Sequence, residues 1–171
     1  MSVRQIFPMS NNIKQGDQEG ICTAISLVWA KKCIERRRGL GSYIELGVDD
    51  HALNGLMAVW RRFDHDPVQQ THAFGLRVVG GGDQVLSSIR AMHDHFVATA
   101  PHVGIFFNNY HTMGYRVGKY GKVTEYEWFD KNFGYFVSTD ENEMHKFMRE
   151  KWKAWYPGYE GSVKGCRVVE V

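Results

Sequence analysis

Chemistry in this chain begins at a cysteine. A polar, turn-forming run, Gln15-Gly16-Asp17-Gln18-Glu19-Gly20, stops and an apolar helical pattern starts in Ile21-Cys22-Thr23-Ala24-Ile25-Ser26-Leu27-Val28-Trp29. Ile21, Ile25, Val28, Trp29 and Ile34 share one face at helical spacing, so a buried helix is predicted with Cys22 in its first turn. Unpaired backbone N–H groups and the positive end of the helix dipole favour a thiolate there, the nucleophilic form of cysteine. The competing reading is a small buried hydrophobe, which is what most cysteines are. This stretch alone does not separate the two.

A nucleophilic cysteine needs a base, and the base needs a group to orient it. Eight histidines compete for the role. His111 opens a strand directly after Asn108-Asn109-Tyr110, and Asp130 ends the next strand, Tyr126-Glu127-Trp128-Phe129-Asp130. A hairpin at residues 118–121 would set the start of the first strand beside the end of the second. His111 and Asp130 are therefore expected as neighbours at one end of a sheet, where the carboxylate can fix the imidazole tautomer and stabilise the imidazolium. A His and an Asp on paired strands is by itself a common surface arrangement.

Other clusters carry weaker chemistry. His93-Asp94-His95 and Asp64-His65-Asp66 hold metal-ligand types, but two residues apart on a helix side chains diverge, and no Cys/His pair stands at zinc spacing. No metal is expected. Gly80-Gly81-Gly82-Asp83 lacks the lysine of a phosphate loop and reads as a flexible turn opening a helix. Cys33, mid-helix, and Cys166, in the last strand, read as buried and inert. Trp152, Trp155, Tyr156 and Tyr159 read as core and helix cover rather than a ligand cage.

These residues need elements to position them. The first helix is predicted from Ile21 to Arg38, stopping at Gly39-Leu40-Gly41, and a second from about His51 to Phe63 behind Asp49-Asp50. Residues 68–79 are ambiguous, with a short strand at 74–79, and a third helix follows the triple glycine to about Ala98, with Val85, Leu86, Ile89, Met92 and Phe96 inward. Beyond Pro101 the period changes to that of strands at 103–107, 111–117, 123–129 and 133–138, an antiparallel meander. Asp140 and Glu143 have capping-box spacing at the start of a last helix, and residues 164–171 form a terminal strand. Residues 1–20 read as an irregular lead-in. Helices first and sheet second is an α+β layout.

The 171 residues suit a single domain, 1–171, and 43% hydrophobic with 13% aromatic residues supports a sizeable core. A net charge of +2 implies no strong pull toward nucleic acid or membrane. The one basic cluster, Lys31-Lys32 with Arg36-Arg37-Arg38, falls at a helix end, where cations complement the dipole. Three cysteines make no disulfide framework and suit a reduced compartment. No secretory signal peptide is expected from Met1 to Ser10, and no run approaches the roughly 18 apolar residues of a membrane span.

Taken together, Gly20-Ile21-Cys22 with Trp29, then His111, then Trp128-Phe129-Asp130-Lys131-Asn132-Phe133-Gly134, resembles the YopT-type papain-like cysteine proteases of bacterial effectors. That family's pattern is Gly-(Val/Ile)-Cys with a Trp seven residues on, a histidine, and Phe-Asp-Pro-Asn-aromatic-Gly. The resemblance implies a papain-like core of helices packed on an antiparallel sheet and a catalytic triad of Cys22, His111 and Asp130, with no cofactor. Lys131 stands where the pattern has proline, which should loosen the turn without touching the triad. Such enzymes place an oxyanion side-chain amide just before the cysteine; the position five before it is Asp17, which cannot donate when ionised, so Gln18, with Gln15 as the other choice, is the expected donor beside the Cys22 backbone N–H. The resemblance further implies secretion without a signal peptide into a target cell's cytoplasm, a protein substrate there, and a cognate immunity protein or chaperone. The same triad serves a protease or a glutamine deamidase, and a papain-like module that has lost activity is the alternative outside enzymology.

Overall fold

The computed structural model describes residues 3–9, 21–47, 55, 58, 66–86, 88–98, 101–108, 111–157 and 163–171. Seven strands form one sheet: β1 (Arg4–Pro8), β2 (Leu76–Leu86), β3 (Val103–Phe107), β4 (Thr112–Tyr120), β5 (Val123–Asp130), β6 (Gly134–Ser138) and β7 (Val163–Glu170). Their spatial order is β1-β6-β5-β4-β3-β7-β2, and every neighbouring pair is antiparallel. The helices with described bounds are α1 (Ile21–Arg36), α2 (Pro67–Ala73), α3 (Ile89–Ala98) and α4 (Glu141–Trp155), with a 3-10 turn at Tyr43–Leu46.

The sheet has a core on each face. Val103, Ile105 and Phe107 of β3 and Phe129 of β5 turn toward α1, whereas Phe106 and Trp128 turn toward α3 and α4. Side chains alternate across a strand, so a strand covered on both faces must be apolar throughout. The apolar run of β3 (VGIFF) and the Gly-Tyr-Phe-Val run of β6, buried at every position, have that cause. Helix α1 is itself buried nearly all round, with Ala24, Leu27, Trp29, Ala30 and Cys33 at 0% exposure. Helix α4 is a surface helix that buries only Met144, Met148 and Trp152; its cap Asp140 accepts the Glu143 N–H at 3.0 Å.

Several elements depart from the sequence reading. The lead-in contains β1, which pairs with β6 through a register shift between Gln5 and Phe7. The triple glycine lies inside β2, not at a helix start; the strand irregularity falls between Val79 and Gln84, where glycines tolerate the bulge, and α3 begins only at Ile89. Val85, expected inward, is 77% exposed. Helix α1 ends at Arg36, with Arg37 in the left-handed region at φ 54°. Gly39 serves close approach instead: a Cβ there would overlap the Glu127 carboxylate and the Tyr135 hydroxyl. The basic cluster is anchored by Glu45, 3.2 Å from Arg36 and 3.1 Å from Arg38. Most of the predicted second helix, 51–63, lies outside the described residues, of which 55 and 58 are helical.

Candidate active site

Cys22 occupies the first turn of α1, buried at 9% exposure. What places this turn is the start of β4. Two hydroxyls interrupt the buried surface of α1: Thr23 Oγ1 lies 2.7 Å from Thr112 Oγ1, and Ser26 Oγ donates to the Thr112 carbonyl at 3.4 Å. Buried polar groups demand partners, so these two contacts set how far α1 can slide along the sheet. One turn further, Trp29 lies over Gly114, where a Cβ would stand 2.5 Å from the indole Cε3. Only glycine lets the helix approach this closely.

His111 immediately precedes β4. Asn108 closes the turn before it, its Oδ1 accepting the His111 N–H at 3.0 Å while its own N–H donates to the His111 carbonyl at 3.1 Å. Gly114 pairs with Phe129 across β4 and β5, so the beginning of one strand meets the end of the other. The imidazole Nε2 accordingly lies 3.0 Å from Asp130 Oδ1, with His111 at 7% and Asp130 at 0% exposure. Asp130 Oδ1 also accepts the Asn132 N–H at 2.9 Å, which holds the β5–β6 turn. With Nε2 turned to the carboxylate, Nδ1 is left for the sulfur, and His111 and Cys22 are hydrogen-bonded.

Charge follows from this geometry. Burial pushes the Cys22 thiol up, but the hydrogen bond and positive charge of His111 outweigh it, aided by a backbone hydrogen bond from Thr112 and the charge of Lys131. The thiol ends below its ordinary value. Burial also works against the charged imidazole, yet the charge and hydrogen bond of Asp130, then those of Cys22, raise His111 to about 10. The imidazole therefore holds its proton at neutral pH beside a thiol that gives up its own more readily than an ordinary cysteine. By contrast Cys33, fully enclosed, has its thiol pushed well up, foremost by burial, and stays an inert hydrophobe.

Two residues at the site escaped the sequence reading. Lys131 does lie beside Cys22 and Asp130: it is 4% exposed, burial weakens its hold on its proton, and the charges of Cys22 and Asp130 restore part of it. Tyr156, expected as helix cover, stacks on the His111 ring with centroids 4.8 Å apart and planes at 26°. Its hydroxyl donates to Asp130 Oδ2 at 2.8 Å. Nothing in its local sequence separates it from Trp155, which does pack as cover on Phe133. Gln18, Gln15 and Asp17 lie outside the described residues, as do His65 and Tyr159. Asp66 caps α2, accepting the Val68 N–H at 2.9 Å. His93, Asp94 and Glu141 do converge, their ligand-type atoms within 4.8 Å of one another. There, however, His93 bonds Tyr115 through Nδ1 and Glu141 through Nε2, while Arg90 shares the same carboxylate at 3.3 Å. Those bonds tie α3 to α4 and to the sheet.

An antiparallel sheet with a buried helix on one face, in an α+β arrangement, matches the fold of papain-like cysteine protease domains. Among solved structures the chain is similar to the Pseudomonas avirulence protein AvrPphB, with a TM-score of 0.52 at 13% identity over 100% of this chain and 97% of that one. It is also similar to PatoxP, a cysteine protease-like domain of the Photorhabdus asymbiotica toxin PaTox, with a TM-score of 0.57 at 10% identity over 93% of this chain and 52% of that one. At such identities the likeness is one of fold. No protein-family model and no curated protein matches the sequence.

Proposed function

We propose that this chain is a cysteine protease domain that cleaves a peptide bond through Cys22, His111 and Asp130, acting as an effector or toxin in the cytoplasm of a target cell. The observation that carries the reading is the buried His111–Asp130 pair at 3.0 Å, with Cys22, in the first turn of a buried helix, acted on by the same imidazole. The likeness to an avirulence protein and to a domain of a toxin supports the effector setting. Among the described residues no helix is long and apolar enough to cross a membrane.

The Cys22 thiolate attacks the carbonyl carbon of the scissile amide, and the carbonyl oxygen takes the negative charge. The backbone N–H of Cys22 and an amide of the preceding segment, with Gln18 the candidate, donate to that oxygen. His111 then gives its Nδ1 proton to the departing nitrogen as the C–N bond breaks, leaving a thioester. Water attacks the thioester, His111 takes its proton, and the sulfur leaves as thiolate with the carboxylate product released. Asp130 keeps the second imidazole proton on Nε2 throughout.

Lysates of candidate target cells treated with the wild-type protein and with Cys22→Ala, followed by mass spectrometry of peptide termini, test this reading. New termini that need Cys22 support proteolysis. Glutamine deamidation without new termini would make it a deamidase, and no Cys22-dependent change in any lysate would leave a papain-like binding module.

A further inference from the structure

Tyr156 caps the C-terminal end of α4, its N–H donating to the Trp152 carbonyl at 2.9 Å. The helix end is held down by its neighbour Trp155, which stacks on Phe133 with centroids 3.5 Å apart and on Trp128 at 6.0 Å. Phe133 belongs to the turn that follows Asp130, so the packing that fastens α4 also delivers Tyr156 onto the imidazole–carboxylate pair. Its hydroxyl then meets Asp130 Oδ2 at 2.8 Å, Asn132 Nδ2 at 2.9 Å and His111 Nε2 at 3.1 Å.

A count of protons makes the arrangement directional. A phenol has one proton, and an ionised carboxylate can only accept, so that proton points at Asp130 Oδ2. The oxygen lone pairs must then receive N–H groups, one from Asn132 and one from His111 Nε2. A bare Nε2 would face two acceptors, Asp130 Oδ1 and the phenol oxygen, with no proton between them. The tyrosine thus enforces the protonated Nε2 and reserves Nδ1 for Cys22. Its ring covers one face of the imidazole, and excluding water there strengthens each hydrogen bond beneath it.

We infer that Tyr156 is a positioning residue of the Cys22–His111–Asp130 site, its hydroxyl fixing the histidine tautomer and the carboxylate while its ring fixes the imidazole plane. This rests on the reading of Cys22 as nucleophile. Among the described residues the charged groups that act on the imidazole are Cys22 from α1 and Asp130 from the end of β5, with Lys131 beside both and the phenol of Tyr156, just beyond α4, against the ring. Tyr156→Phe keeps the stacked ring and removes one hydrogen bond to the Asp130 carboxylate and one to His111 Nε2–H. Both losses leave the imidazole freer to turn away from Cys22, and with it goes the interaction that lowers the thiol.

The test is the rate of Cys22 alkylation by iodoacetamide across pH, with melting temperature measured alongside. The wild type should react well below the pH of an ordinary thiol. Tyr156→Phe should melt near the wild type yet need a higher pH for the same rate, reacting about ten- to hundredfold more slowly at neutral pH. Tyr156→Leu, which removes the stacked ring as well, should be slower still. A wild type with an ordinary thiol profile would remove the nucleophile reading itself. A lowered wild-type profile that Tyr156→Phe reproduces at every pH would overturn the role of Tyr156 alone.

Discussion

Trp29 and Phe129 lie face to face, with ring centroids 5.5 Å apart and planes within 8° of parallel. Trp29 sits two helical turns beyond Cys22 on α1, and Phe129 immediately precedes Asp130 on β5. One stacked pair therefore joins the element that carries the sulfur to the strand that carries the carboxylate. Both rings are at 0% exposure. Trp29→Ala should cost about 3–5 kcal/mol in urea unfolding, since it opens a cavity between α1 and the sheet. It should also slow alkylation of Cys22 in the molecules that remain folded, because the stack helps to hold the angle of α1 over the sheet.

Gly114 tests the same contact from the other side. Gly114→Ala puts a methyl group into the Trp29 ring, so α1 or the ring must shift. Overpacking of this kind costs about 1–3 kcal/mol. The shift should separate Cys22 from His111 and move the alkylation profile toward that of an ordinary thiol. An unchanged profile with lowered stability would mean that Thr112 alone sets the register of α1.

The dependence of peptide cleavage on pH should be bell-shaped. At low pH the sulfur is protonated and does not attack, and the acid limb should fall below the ordinary thiol value because the His111 cation stabilises the thiolate. At high pH the imidazole loses the proton it must give to the leaving nitrogen, so the alkaline limb should stand near 10. The sign for stability follows. His111 binds its proton more tightly folded than unfolded, so its contribution is full below its ordinary 6.5 and is lost as pH rises through about 10. The melting temperature of the wild type should fall relative to His111→Gln across that window and not below it.

Asp130 orients His111 and caps a turn with the same oxygen, and substitution can part the two roles. Asp130→Asn retains an oxygen for the Asn132 N–H but loses the charge and can reverse the tautomer. Cleavage should drop by up to about 10⁴-fold with little change in melting temperature. Asp130→Ala should lose comparable activity and, in addition, about 1–3 kcal/mol of stability, because buried donors are left unsatisfied. Turnover of Asp130→Asn within a few-fold of wild type would leave a Cys22–His111 dyad.

Away from the site, Glu127 is fully buried on β5, bonded to Arg116 of β4 and to the Tyr135 hydroxyl of β6. Burial raises the affinity of its carboxylate for a proton, and Arg116 and Tyr135 oppose that rise. Arg116→Met should destabilise by about 3–5 kcal/mol, since it strands a buried charge. Arg116→Met with Glu127→Gln should recover much of the loss, measured by urea unfolding, and neither change should alter the alkylation profile of Cys22.

The sequence by itself determined what local periodicity and turn chemistry can determine. The start of α1 at the cysteine, the four-strand meander, the Asp140 cap and the α+β class are all written in spacings of a few residues. The meeting of His111 and Asp130 is legible for a related reason, because a hairpin converts a sequence interval into a register. The tertiary structure alone decided the rest. Whether an aromatic at a helix end is cover or a hydrogen-bond partner depends on what lies opposite, and Tyr156 meets its partners across intervals of 26 and 45 residues. Lys131 is buried beside Cys22 and Asp130, which no pattern around residue 131 records. The same holds for β1, whose partner strand lies more than a hundred residues away, and for Thr23 and Ser26, whose hydroxyls acquire meaning only when Thr112 arrives beneath them.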